Sequence, residues 1–214
     1  MVKIGWDITH QEFTVTDHYY FSKLLRSIQA KGIVDEITNW KQLDNYDIIV
    51  FNYPEIGFSS KEVEDVDRWL HHGKRIIIAG YYKNEDFIAD RINSLIEHFG
   101  VKLLSDEVHD LSHNIDGDKL LLVSSVISLT DGNVRSVFLP CSASIEWQGM
   151  AETLVASENT SWSTLNGRGS HPLIVKKNIG KGELIVCGTC VFWDNFAIVR
   201  ENNWGLTRYL LNLL

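Results

Sequence analysis

The chain of 214 residues is 44% hydrophobic and 22% charged, which suits one ample globular domain or a tight pair and excludes disordered or fibrous classes. Twenty basic against 28 acidic side chains leave a net charge of −8, without the basic footprint of a nucleic-acid binder, so no nucleic-acid partner is expected. No run reaches the roughly 18 apolar residues of a membrane span, and the opening MVKIGWDITH lacks the apolar core of a signal peptide; a cytoplasmic chain without membrane insertion is expected.

Strand and helix alternate through the first half. Residues 2–7 (VKIGWD) are short and β-rich, and a polar stretch follows them. Residues 18–30 put Tyr20, Phe21, Leu24, Leu25 and Ile28 on one helical stripe, with Gly32 as the stop. Residues 46–51 (YDIIVF) are almost continuously apolar, as a strand covered on both faces must be. Ser59 and Glu62 form a capping box at the head of a helix over 59–72 that turns Val63, Val66, Trp69 and Leu70 inward. Residues 75–79 (RIIIA) are a third buried strand, and a helix over about 85–98 buries Phe87, Ile88, Ile92, Leu95, Ile96 and Phe99. This β-α-β-α-β-α order predicts a parallel sheet with right-handed crossovers.

The second half reads as strands with almost no helix between them: 119–127, 134–139, 143–147, 152–156, 172–176 and 183–187. Turn signals at 116–118, 131–133, 166–169 and 180–182 punctuate them, and a last helix covers about 203–213. The expected organisation is a single α/β domain over 1–214 with a β-rich insertion at about 105–170.

Open α/β sheets bind ligands at the carboxyl ends of their strands. Four polar segments should meet there. They supply the candidate ligand-binding residues Asp7, Thr9, His10, Glu12, Asn52, Tyr81, Asn84, Thr189, Asp194 and Asn195. His10 with Asp7 or Glu12 suits a general base or a weak metal site. The plainer reading has Asp7 and Thr9 capping backbone groups while His10 and Glu12 sit in solvent. Asp106, His109, Asp110 and His113 read as a solvated connection, since no helix signal covers them.

No G-x-S-x-G elbow, P-loop, H-E-x-x-H or C-x-x-C pattern is present, so no catalytic residue, metal or cofactor is assigned. Seven tryptophans and seven tyrosines exceed what this core requires, and several fall near strand ends, where aromatic walls line small-molecule or sugar pockets.

The segments DITHQEF, YDIIVFNYP, FSSKEVEDVDRWLHHGKRIIIAG, INSLIEHFGVKLLSDEVHD and HPLIVKKNIGKGELIVCGTCVFWDN form a frame. It resembles the class I glutamine-amidotransferase-like superfamily, in the non-catalytic branch of intraflagellar-transport GIFT domains and ABC-type gliding or transport proteins. The resemblance implies a flavodoxin-like three-layer core with a mainly parallel sheet. It also implies the loss of glutamine hydrolysis, because Gly80-Tyr81-Tyr82 stands where a nucleophilic cysteine is needed. The expected function is a non-enzymatic domain that binds an unknown small molecule or a protein, with a homodimer left open. The alternative is a hydrolase or lyase acting on a small polar or sugar-like substrate through Asp7, His10 and Glu12.

Overall fold

The computed structural model describes residues 1–129 and 133–213. Its largest sheet has eight strands: Lys3–Asp7 (β1), Ile33–Ile37 (β2), Ile48–Asn52 (β3), Arg75–Ala79 (β4), Val126–Ile127 (β5), Glu152–Ala156 (β6), Pro172–Ile179 (β7) and Gly182–Cys187 (β8). The spatial order is β2-β1-β3-β4-β8-β7-β6-β5. β3 is buried along its whole length, which explains its unbroken apolar run: it has no wet face to offer polar residues. Among the described residues four α-helices accompany the strands: His18–Gln29 (α1), Ser60–His71 (α2), Ile88–Ile96 (α3) and Asn203–Leu210 (α4). α1 packs on β2, and α2 packs on β4 and β8. No helix among the described residues is long and apolar enough to cross a membrane.

The expected flavodoxin-like, mainly parallel three-layer fold is not what forms. The strands β2, β1, β3, β4 and β8 run parallel, but β8, β7, β6 and β5 pair antiparallel. Three smaller sheets among the described residues are antiparallel as well: Val101–Leu103 with Ile145–Trp147, Leu121–Ser124 with Val137–Pro140, and Trp162–Ser163 between Val108–His109 and Gly167–Arg168. Among the described residues seven strand pairings are antiparallel and four parallel. The reason is connection length. β7 and β8 are joined through Gly180 and Lys181 alone, and a parallel crossover needs about a dozen residues or more. The stretch 105–170 also contributes β5 and β6 to the main sheet.

Three local differences matter for the site. The helix expected from 85 begins at Ile88, because Lys83, Asn84, Asp86 and Phe87 hold φ of +56°, +54°, +53° and +62°. The stretch 119–127 splits at Ser125 into two strands of different sheets. The edge strand β2 carries no sequence expectation, since IVDEI mixes apolar and acidic residues. Asp131 and Gly132 of the expected 131–133 turn lie outside the described residues.

Candidate functional site

β1, β3, β4 and β8 end side by side, and the backbone beyond them is contorted. Gln11 after β1 and Tyr53 after β3 have φ of +61° and +63°, and the run after β4 holds the four left-handed residues named above. Such conformations cost of order 1–3 kcal/mol each and persist only where surrounding contacts enforce them. They divide the strand ends into two environments.

The first is a buried polar cluster under the β1 loop. Asp7, His10 and Glu12 keep 0%, 2% and 6% of their surface, so the solvated reading of His10 and Glu12 does not hold. Asp7 Oδ1 accepts from the Thr9 backbone N–H at 3.2 Å and from Thr9 Oγ1 at 2.9 Å. Asp7 Oδ2 lies 2.8 Å from His10 Nδ1, and Glu12 Oε2 accepts from the His10 backbone N–H at 2.9 Å. The imidazole stacks on Phe58 with centroids 4.2 Å apart and meets Trp40 and Phe51 edge-on. Burial, and after it the adjacent Asp7 carboxylate, pushes the Glu12 carboxyl up to about 10.

The second environment is a cavity of about 270 Å³ lined by Phe13, Tyr20, Phe21, Tyr53, Tyr81, Glu85, Asp86, Cys190, Val191 and Asp194. Tyr20, Phe13, Tyr53 and Tyr81 form a continuous wall, with successive centroids 5.9, 5.1 and 5.7 Å apart. The Tyr53 hydroxyl donates to Asp86 Oδ2 at 2.7 Å. Burial, then Asp86, raises the Tyr53 phenol; burial, then Cys141, raises that of Tyr81, so both rings stay neutral donors. Burial likewise raises the Asp194 carboxyl and the Cys190 thiol, which is thereby held away from the nucleophilic thiolate form.

A larger depression of about 420 Å³ lies at the opposite end of the strands, around Asp47, Lys74, Arg75 and Glu183. Its charges already serve the fold: Arg75 pairs with Glu183, and the Lys74 ammonium donates to the Asp44 and Tyr46 carbonyls.

The candidate residues therefore part company. Tyr81 and Asp194 line the cavity, while Asp7, Thr9, His10 and Glu12 form the cluster. The remaining four hold structure. Asn52 is buried and accepts from Trp193 Nε1 at 3.1 Å. Thr189 donates to the Pro140 carbonyl, and Asn84 exchanges hydrogen bonds with Asp90 at the start of α3. Asn195 clamps the first turn of α1. Sequence reasoning passed over Phe13, Tyr20, Glu85 and Asp86 because loop and helix residues reach the cavity only through the fold. Of the strand-end aromatics, Trp6 and Trp193 are core residues and touch each other at 5.3 Å.

Within the stretch read as a solvated connection the two aspartates instead form a buried hub, while His109 is half-buried and His113 is exposed. Asp106 and Asp110 keep 0% and 1% of their surface. Asp106 accepts from Ser144 N, Ser144 Oγ and Ser163 Oγ; Asp110 accepts from Ser112 N, His113 N, Thr160 Oγ1 and Ser161 Oγ. A polar stretch that looks wet in sequence is dry when distant hydroxyls converge on it.

An Aquifex aeolicus (strain VF5) protein described only as uncharacterized is 46% identical over 226 residues, spanning all of this chain and 93% of the relative. The chain belongs to the family of that Aquifex protein. No family model matches this family member. Among solved structures, the mmIFT52 N-terminal domain superposes with a TM-score of 0.80 at 18% identity, covering 97% of each chain. Cytoplasmic protein STM1381 of Salmonella typhimurium LT2 gives 0.53 at 13% identity, covering 97% of this chain and 92% of that one. Identities this low show a shared fold alone. None of the three is described as a glutamine-amidotransferase-like protein, and the mixed sheet departs from the implied flavodoxin-like core, so the assignment to that superfamily is withdrawn.

Proposed function

We propose that the chain is a non-enzymatic binding domain for a small organic cation, held in the cavity beyond β3 and β4. One observation carries this reading: four touching aromatic rings face three carboxylates, and neither lysine nor arginine is among the described lining residues. Ring faces and carboxylates both attract an ammonium group, and a partly enclosed site lowers the screening that water provides. The raised thiol of Cys190 supports binding without covalent chemistry. The hydrolase or lyase reading has less support, because Asp7, His10 and Glu12 do not line the cavity. A cytoplasmic setting belongs to the same proposal and is supported by three free cysteines.

Calorimetric titration with choline, putrescine, glucose and glutamate tests it. The amines should bind, and Asp86→Asn should weaken them about tenfold, near 1.4 kcal/mol. Binding of glutamate or glucose in preference to both amines overturns the cation assignment. An amine affinity unchanged in both Asp86→Asn and Glu85→Gln removes the site from this cavity.

A further inference from the structure

Two carboxyl groups share the buried cluster, and both can be charged together only with a cation between them. Asp7 and Glu12 sit side by side in the interior, and among the described residues neither pairs with a lysine or arginine. Each carboxylate has one oxygen held by the loop: Asp7 Oδ1 by Thr9, Glu12 Oε2 by the His10 backbone. The other two oxygens face the same imidazole nitrogen, His10 Nδ1, at 2.8 Å for Asp7 Oδ2 and 3.8 Å for Glu12 Oε1. Glu12 Oε1 is fully enclosed and, among the described residues, no hydrogen-bond donor reaches it. A proton on Nδ1 serves Asp7 Oδ2 and gives nothing to Glu12 Oε1, so the cluster closes either with Glu12 neutral or with a cation shared by the two carboxylates.

The geometry points to a site for one divalent transition-metal ion, of the Zn²⁺ or Mn²⁺ class, held by Asp7 Oδ2, His10 Nδ1 and Glu12 Oε1. Donor atoms of these three residues lie within 4.8 Å of one another. Two carboxylates and a doubly charged ion sum to zero, so the buried charge is balanced. With Nδ1 engaged, the ring proton moves to Nε2, which faces Glu62 Oε2 at 3.6 Å; a carboxylate behind a ligating histidine is the usual means of fixing its tautomer. Thr9 Oγ1, 3.1 Å from both His10 Nδ1 and Asp7 Oδ2, adds a hydroxyl within reach. One nitrogen among few oxygens suits Zn²⁺ or Mn²⁺ better than Ca²⁺, which takes about six to eight oxygens. The spacing matches no helical metal motif because the loop turns back at Gln11, whose φ is +61°. The ion pins the loop that delivers Phe13 to the aromatic wall, and the site stands whether or not the cavity binds a cation.

The test uses chelator-stripped full-length protein equilibrated with Zn²⁺, Mn²⁺ or Ca²⁺, both in the native state and during refolding. Zn²⁺ or Mn²⁺ should be retained at one ion per chain and raise the melting temperature, and Co²⁺ should give a visible ligand-field spectrum. Glu12→Gln keeps an acceptor for the His10 N–H while removing the charge; it should stay folded and abolish retention and the Co²⁺ spectrum. Glu62→Gln should weaken affinity about tenfold. The double variant His71→Gln/His72→Gln, at the end of α2, should bind as the wild type does. Absence of a retained ion under both conditions overturns the assignment, as does an ion that survives Glu12→Gln with its spectrum intact.

Discussion

The Tyr53 hydroxyl donates to Asp86 across 33 positions of chain, at 2.7 Å, and both residues hold left-handed φ, +63° and +53°. An aspartate adopts that conformation readily but an aromatic residue does not, so the bond and the wall packing hold a strained Tyr53 against the loop after β4. Tyr53→Phe should lower stability by about 1–2 kcal/mol. Amide exchange should accelerate at 82–87 well before it does in β3 and β4. Uniform exchange changes would show that the loop is held by something else.

Asn195 ties the segment after β8 to α1 through one side chain. Its Oδ1 accepts from Lys23 N at 2.9 Å, and its Nδ2 donates to the carbonyls of His18 and Tyr19 and to Ser22 Oγ. Asn195→Ala should cost about 2–3 kcal/mol by chemical denaturation. Asn195→Asp should cost more, since its carboxylate would face two carbonyl oxygens. An Asp variant as stable as wild type would contradict this arrangement.

Gly188 closes β8 where the chain passes against Ala143: its N–H donates to Leu173 O, and its carbonyl accepts from Ala143 N. A Cβ at this position would run into the backbone carbonyl oxygen of Ala143, which has no rotamer to move to. Gly188→Ala should lose about 3 kcal/mol, the upper range for overpacking. A thermal midpoint within a degree or two of wild type would show that the strands separate easily there.

Acid should undo the hub around 105–113. Burial opposes the charge on Glu107, but bonds from the Lys119 and Lys83 ammonium groups outweigh it and bring the carboxyl from 4.5 to about 2. Asp110 is brought to about 2 against burial, chiefly by Thr160 and the Ser112 and His113 backbone. Both values are depressed on folding, so the stability they lend is complete above about pH 4.5 and drains away as pH falls toward 2. Urea unfolding at stepped pH should show that slope, and Glu107→Gln should flatten part of it. A wild-type profile level from pH 5 to 2.5 would exclude the hub as an acid-labile element.

Local and periodic features were legible from the chain alone. The Ser59–Glu62 capping box forms, with Ser59 N–H donating to Glu62 Oε2 at 2.7 Å, because its partners lie within one turn. The apolar runs at β1, β3, β4 and β8 mark adjacent parallel strands, because a strand without a polar face has to sit inside a sheet. The direction of the later strands was decided by pairing across distance. The GKG turn at 180–182 announces a hairpin, but the sequence does not show that β6 and β5 extend the same sheet beyond it. Burial of polar residues was decided by tertiary structure too. Nothing near Asp106 in the chain foretells Ser144 and Ser163, and nothing near His10 foretells Phe58 closing over it. Periodicity reports which side chains avoid water; whether a carboxylate finds hydroxyls, a lysine or an imidazole depends on segments that meet only once the chain has folded.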